Sequence, residues 1–140
     1  VIAILKNEQN SLNIFLILGS IFWIGGFTIE VIADLQKKKF KKIQDTNNKF
    51  ISTGLWSKSR HPNYFGEISL WIGVYIISIP SFTGLEYLSL ISPIFVYILL
   101  TRMSGINMLE KIADQRYGDS EEYQEYKKNT PILIPYKLKK

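Results

Sequence analysis

Between Thr53 and Glu67 the sequence gathers Arg60, His61, Asn63, Tyr64 and Glu67. These are a cation, an imidazole, an amide, a phenol and a carboxylate. Pro62 suits the first turn of a helix, where its missing N–H costs nothing. A helix that opens there presents free amides, which favour an anion. Arg60 can add a bidentate contact to a phosphate or carboxylate. The same residues also suit a membrane interface, with Arg60 on headgroups, Trp56 and Tyr64 in an aromatic belt, and Glu67 on the helix dipole. Glu67 favours chemistry, because a carboxylate within a membrane span is costly and usually functional. Neither Arg60 nor Asn63 is assigned a core role. Replacing either is therefore expected to leave the stability of the ligand-free protein nearly unchanged.

Two further groups could join this one. Glu30 and Asp34 are four residues apart and share a helix face. They could accept hydrogen bonds from ribose hydroxyls or an amide. Lys37, Lys38 and Lys41 follow and could neutralise phosphates, although a lysine run also anchors the cytoplasmic end of a span. In the tail, Glu110, Arg116, Tyr117, Tyr123 and Tyr126 lead into Pro131–Tyr136. Phenols near a basic pocket can stack on a base or hydrogen-bond a cofactor, and they can equally anchor an interfacial helix. No Gly-x-Gly-x-x-Gly follows a strand and no Walker loop is present, so a nucleotide site here is neither Rossmann nor P-loop. With no cysteine and one histidine, a disulfide scaffold, a thiol nucleophile and a His-rich metal site are excluded, and no metal is expected.

These groups must be positioned by elements of an unusual kind. Hydrophobic residues make up 46% of the 140, close to an ordinary globular value. Their distribution is far from ordinary. Ser11 to Ile29 carries no charge, and from Ile68 to Thr101 the only charge is Glu86. The pattern predicts an all-α, multi-pass transmembrane helical bundle in a single domain, 1–140. Its spans are Leu12–Ala33, Tyr64–Ile79 and Leu85–Thr101, with a tight turn at Pro80–Gly84 between the last two. The 34–63 loop and the tail from Arg102 each carry eight Lys or Arg, and the Pro80–Gly84 turn carries none. Both basic segments are thus expected on the cytoplasmic side, facing each other, with the C-terminus cytoplasmic. The net charge of +5 is assigned to the membrane surface, with no nucleic-acid partner expected. In the tail, amphipathic helices are expected over Ile106–Tyr117, ended by Gly118, and from Asp119 to Lys128, with Asp119 and Glu122 as a capping box. Val1 to Leu5 reads as the tail of another apolar segment, so the chain is expected to be part of a longer protein.

Gly54 to Glu67 resembles the signature of a bacterial and eukaryotic membrane family of unassigned function, related to the C-terminal domain of steroid 5-alpha-reductases. Gly26–Lys41, Ser104–Glu110 and Tyr123–Pro135 resemble other parts of the same family, in the same order. The resemblance implies an integral membrane protein of the bacterial inner membrane or endoplasmic reticulum, surrounded by lipid, that binds NADPH from the cytoplasmic side. It implies reduction of a lipophilic enone or sterol-like alkene. Asp34, Asn63, Gly66 and Glu67 match reductase positions. Glu30 stands where the reductases carry Asn, and Lys38 and Lys41 where they carry Arg. The implied cofactor-binding set is Glu30, Asp34, Lys38, Lys41, Arg60, His61, Asn63, Tyr64, Glu67, Glu110, Tyr123 and Tyr126. Arg60-His61-Pro62-x-Tyr64-x-Gly66 also resembles isoprenylcysteine carboxyl methyltransferases. The alternative is therefore a lipid or prenylcysteine methyltransferase using S-adenosylmethionine. A non-catalytic membrane scaffold is a second alternative.

Overall fold

The computed structural model describes residues 14–43, 49–103 and 105–136. The Val1–Leu5 segment, Lys6, the first residues of the predicted first span and Ser104 lie outside them. Among the described residues five α-helices succeed one another: α1 (Ile14–Ile43), α2 (Pro62–Ser78), α3 (Ile91–Ile98), α4 (Ile106–Tyr117) and α5 (Glu121–Asn129). Short 3₁₀ segments occupy Gly54–Ser57, Ile79–Ser81 and Gly84–Leu90. No strand occurs among the described residues.

Two helical runs, Ile14–Ile43 and Gly84–Tyr117, are long and apolar enough to cross a membrane. Only 11% of the most apolar stretch of the first, and none of the second, is buried inside the protein. A core helix of a water-soluble bundle hides its large apolar residues. Here Ile21, Ile24, Ile91 and Ile94 are all more than half exposed, and α1 buries Gly19, Gly26 and Ala33 instead. Lipid solvates the large side chains as well as the protein interior does, so small residues that let two backbones approach decide which face packs.

The small-residue face of α1 meets α2. Gly19, Gly26 and Ala33 recur every seven residues, as do Gly66 and Gly73, so both sets stay on one seam. A methyl group on Gly66 would lie 2.6 Å from the Glu30 nitrogen and the Gly26 carbonyl. One on Gly73 would lie 2.6 Å from the Gly19 carbonyl and the Trp23 nitrogen. Gly26 thus faces Gly66 and Gly19 faces Gly73, which fixes the two helices as antiparallel with touching backbones.

The Pro80–Gly84 turn is present, and Gly84 takes a left-handed φ of 52°. Thr83 and Glu86 form a capping box there, the Thr83 amide donating to the Glu86 carboxylate at 2.9 Å. The one charge of the long apolar run is therefore a helix-capping group. The predicted third span is not one regular helix. It begins as 3₁₀, becomes α3, and ends in a π-helical turn over Leu99–Met103. α4 occupies the predicted range. Two details of the tail differ from expectation. Ser120, not Asp119, is the N-cap of α5, accepting from the Tyr123 amide. Gly118 ends α4 as expected, but with a right-handed φ of −58°, and its lack of a side chain clears the Asp114 carbonyl instead of permitting a left-handed stop.

Candidate functional site

The end of α1 beyond Ala33 and the tail are joined by the segment that precedes α2. Gly54 takes a left-handed φ of 63° beside the Gln36 side chain. The next amide, of Leu55, donates to Gln36 Oε1 at 3.0 Å. The Trp56 indole N–H donates to the Ala33 carbonyl at 3.1 Å, and Lys37 Nζ sits 5.2 Å from the centre of the indole ring. Trp56 is buried, so it is a structural wedge rather than the interfacial belt residue considered above as the alternative.

The tail then closes over this segment. The Arg60 amide donates to the Pro131 carbonyl at 2.9 Å. Ser59, which is fully buried, donates to the Leu133 carbonyl at 2.7 Å. The Tyr126 hydroxyl donates to the Trp56 carbonyl at 2.6 Å, and the Tyr117 hydroxyl to the Lys49 carbonyl at 3.1 Å. Phe50 inserts between three tyrosines, its ring centre 5.8, 5.2 and 5.2 Å from those of Tyr117, Tyr123 and Tyr126.

Between these walls lies a chamber of about 240 Å³. Among the described residues five cations line it, Lys37, Lys41, Lys49, Arg60 and Arg116, with a single carboxylate, Glu110. Arg60 Nη1 is paired with Glu110 Oε2, and Arg60 Nε donates to the Thr130 carbonyl at 3.2 Å. His61 Nε2 lies 2.7 Å from Glu110 Oε1. Burial alone would raise the Glu110 carboxyl, but the His61 hydrogen bond and the Arg60 guanidinium outweigh it and hold the group below the usual carboxylate range. The Tyr123 phenol is pushed up to about 12, first by burial and then by the Glu110 and Asp114 carboxylates. Burial likewise raises Tyr126. Both phenols remain neutral hydrogen-bonding groups at physiological pH.

The predicted residues therefore fall into two groups. The chamber brings together Lys41, Arg60, His61, Asn63, Glu110, Tyr123 and Tyr126. Glu30, Asp34, Lys38, Tyr64 and Glu67 do not line it. The first turn of α2 has no acidic residue, so Glu67 lies too far along the helix for the dipole-capping role considered above. Gly66 packs on the Glu30 backbone, which brings Glu30 and Glu67 to one level, with Asp34 one turn further along α1. Asn63 and Tyr64, at the start of α2, link the two groups. Sequence reasoning placed Lys37, Arg116 and Tyr117 near the site without assigning them to it. It passed over Phe50, which has no motif around it, and it used Lys49 only to judge sidedness.

The chain is 26% identical over 120 residues to 3-oxo-5-alpha-steroid 4-dehydrogenase 1 of Rattus norvegicus, covering 86% of this chain and 41% of that protein. To the enzyme of the same name from Macaca fascicularis it is 27% identical over 120 residues, covering 86% and 40%. The chain thus spans about two fifths of the length of these curated relatives. No solved structure matches. Residues 1–130 match the model of the family described as protein of unknown function (DUF1295), and with this match across most of its length the chain belongs to that family, which stands in distant relation to steroid 5-alpha-reductase 1.

Proposed function

We propose that this chain is the cofactor-binding part of an NADPH-dependent membrane reductase that acts on a lipophilic enone or sterol-like alkene. The observation that carries the proposal is the charge of the chamber. Glu110 is already paired with Arg60, so Lys37, Lys41, Lys49 and Arg116 remain as cations without a carboxylate among the described lining residues. That excess suits the phosphates of NADPH. It opposes S-adenosylmethionine, which brings a positive sulfonium of its own. The ring cluster of Phe50 with Tyr117, Tyr123 and Tyr126 suits a nucleotide base. At about 240 Å³ the chamber is below the roughly 300–1,000 Å³ usual for a drug-sized ligand, so it fits one nucleotide half rather than the whole dinucleotide.

In this reading Lys37, Lys41, Lys49 and Arg116 hold phosphates, and the aromatic wall takes a base. Asn63, Glu30, Asp34 and Glu67 meet hydroxyl or amide groups, with Lys38 at the rim. NADPH, when bound, supplies the hydride. The protein's contribution is to bind and orient, and to exclude water by closing the tail over the 49–61 segment. The apolar, lipid-facing surface of α1 and α3 suits a substrate that arrives through the bilayer. α2, at 17 residues with a 3₁₀ extension, is the middle span of a three-span topology. The chamber then lies on the cytoplasmic side and the Pro80–Gly84 turn opposite. The distant relation to steroid 5-alpha-reductase 1 supports the same reaction class.

Isothermal titration of the detergent-solubilised protein tests this. NADPH should bind more tightly than NADH, with affinity that falls as salt rises, because the 2′-phosphate adds charge to a cationic site. Binding of S-adenosylmethionine without binding of NADPH would transfer the assignment to the methyltransferase reading.

A further inference from the structure

The ligand contact made by His61 can be specified further. Its imidazole is buried, 7% exposed, yet it lines the chamber. Nε2 is engaged by Glu110 Oε1 at 2.7 Å. Glu110 also pairs with Arg60 and is held below the usual carboxylate range, so it is ionised and can only accept. The proton of that hydrogen bond must sit on Nε2. In neutral His61 the other nitrogen, Nδ1, is then an acceptor. Among the described residues Nδ1 has no hydrogen-bond partner, and no side-chain nitrogen or oxygen is both sealed from solvent and unpartnered. Nδ1 is therefore not sealed, and the cavity that His61 lines is the chamber.

We infer that Glu110 is a positioning residue, which locks His61 with its proton on Nε2, and that Nδ1 is the subsite that accepts a hydrogen bond from an O–H or N–H group of the bound nucleotide. A ribose hydroxyl or a carboxamide qualifies, whereas a phosphate, which has no proton to give at neutral pH, does not. The inference deepens the NADPH reading and rests on it for the ligand. It separates the roles of the two neighbours in the sequence: Arg60 is matched to an anion, and His61 to a donor.

His61 is the only histidine of the chain, so nitrogen NMR of imidazole-labelled protein reports it without assignment. The expected result is a proton on Nε2 and none on Nδ1 in the free protein, and movement of the Nδ1 resonance when NADPH is added to saturation. Two substitutions separate binding from packing. In His61→Asn the amide oxygen can replace Nδ1, so affinity should stay within about twofold although the Glu110 contact is gone. In His61→Gln the amide replaces Nε2 and keeps the Glu110 contact, but affinity should fall roughly two- to tenfold, the range of one hydrogen bond. A purely structural role predicts the reverse order. An Nδ1–H tautomer, the reverse order, or an Nδ1 resonance unmoved while calorimetry shows NADPH bound would overturn the inference and leave the NADPH reading standing. Absence of NADPH binding would instead overturn that reading together with the nucleotide subsite.

Discussion

Arg60 offers the sharpest test of the chamber, because the structure changes what its replacement should do. From the sequence alone, Arg60→Lys should spare the ligand-free protein. In the structure the guanidinium holds three parts together: its own segment, Glu110 on α4, and the Thr130 carbonyl just past α5. Both charged side chains are largely shielded, at 13% and 15% exposure. Removing one partner of a fully buried pair costs about 3–5 kcal/mol. Here the residual exposure and the surviving His61 contact lower that figure, while the orphaned Thr130 carbonyl adds about 1 kcal/mol. Arg60→Leu should therefore destabilise the ligand-free protein by about 2–4 kcal/mol. A lysine can satisfy Glu110 or Thr130 but not both, so Arg60→Lys should cost about 1–2 kcal/mol. For a chain of this size 1 kcal/mol corresponds to roughly 3–4 °C, giving falls in Tm of about 10 °C for Leu and about 5 °C for Lys. The assay is thermal unfolding of the protein in detergent, without ligand. The Arg60→Leu/Glu110→Leu double variant closes the cycle and should lose less than the sum of the singles. Tm values within 1 °C of the wild type for both Arg60 variants, or strict additivity in the cycle, would refute the latch.

Three other outcomes follow from the geometry. In Gly66→Ala the added methyl must retreat from 2.6 Å to the 3.4 Å at which ordinary contact begins, so α1 and α2 separate by about 0.8 Å; overpacking of this kind costs about 1–3 kcal/mol, and an unchanged Tm would mean the backbones do not touch. The pH limits of stability have opposite signs at the two ends: the Glu110 contribution is complete above its ordinary value of 4.5 and is lost as pH falls through its depressed one, whereas Tyr123, raised from 10.0 to about 12, makes stability fall as pH rises between those values, because the unfolded chain ionises first. Thermal scans against pH should show both limbs, and Tyr123→Phe should make the alkaline one shallower, with the part due to Tyr126 remaining. Cysteines placed at Thr83 and Asn129, both exposed in a chain with no native cysteine, should react with an impermeant reagent from opposite faces of the membrane; reaction of both from one face contradicts a three-span arrangement.

What could be read in the sequence tracks the range of the interaction that carries it. The apolar runs and the Pro80–Gly84 turn are local, and Pro62 at the first position of α2 follows from its own ring. The helix seam was there to be read as glycine and alanine at 19, 26 and 33 and glycine at 66 and 73, but apolar clustering draws the eye to large residues, and in lipid those face outward. The chamber was half legible. Arg60, His61 and Glu110 could be singled out by type, but nothing local says that Glu110, some fifty residues away, satisfies both of the others. Phe50 was invisible for the same reason. A phenylalanine after a lysine in a loop carries no pattern, and only the return of Tyr117, Tyr123 and Tyr126 gives it neighbours.

The same distinction explains why one end of this small bundle can hold a polar site. Along the seam the two backbones are in contact, leaving no room for side-chain chemistry between α1 and α2 from Gly19 to Gly26. The seam ends at Ala33, where the helix partner is replaced by Trp56, a side chain instead of a backbone, with its N–H on the Ala33 carbonyl. Beyond that level the basic end of α1 has the 54–56 segment beside it in place of α2, with Gln36 on the Leu55 amide and Lys37 over the Trp56 ring. The space there is walled by α4 and α5, and Glu110 fixes the wall by engaging the two residues that precede Pro62. The cationic excess of the chamber depends on this contact. If Arg60 were free, five cations would face one another across about 240 Å³. With Arg60 neutralised, four remain for the ligand, and His61 is held in one tautomer beside them.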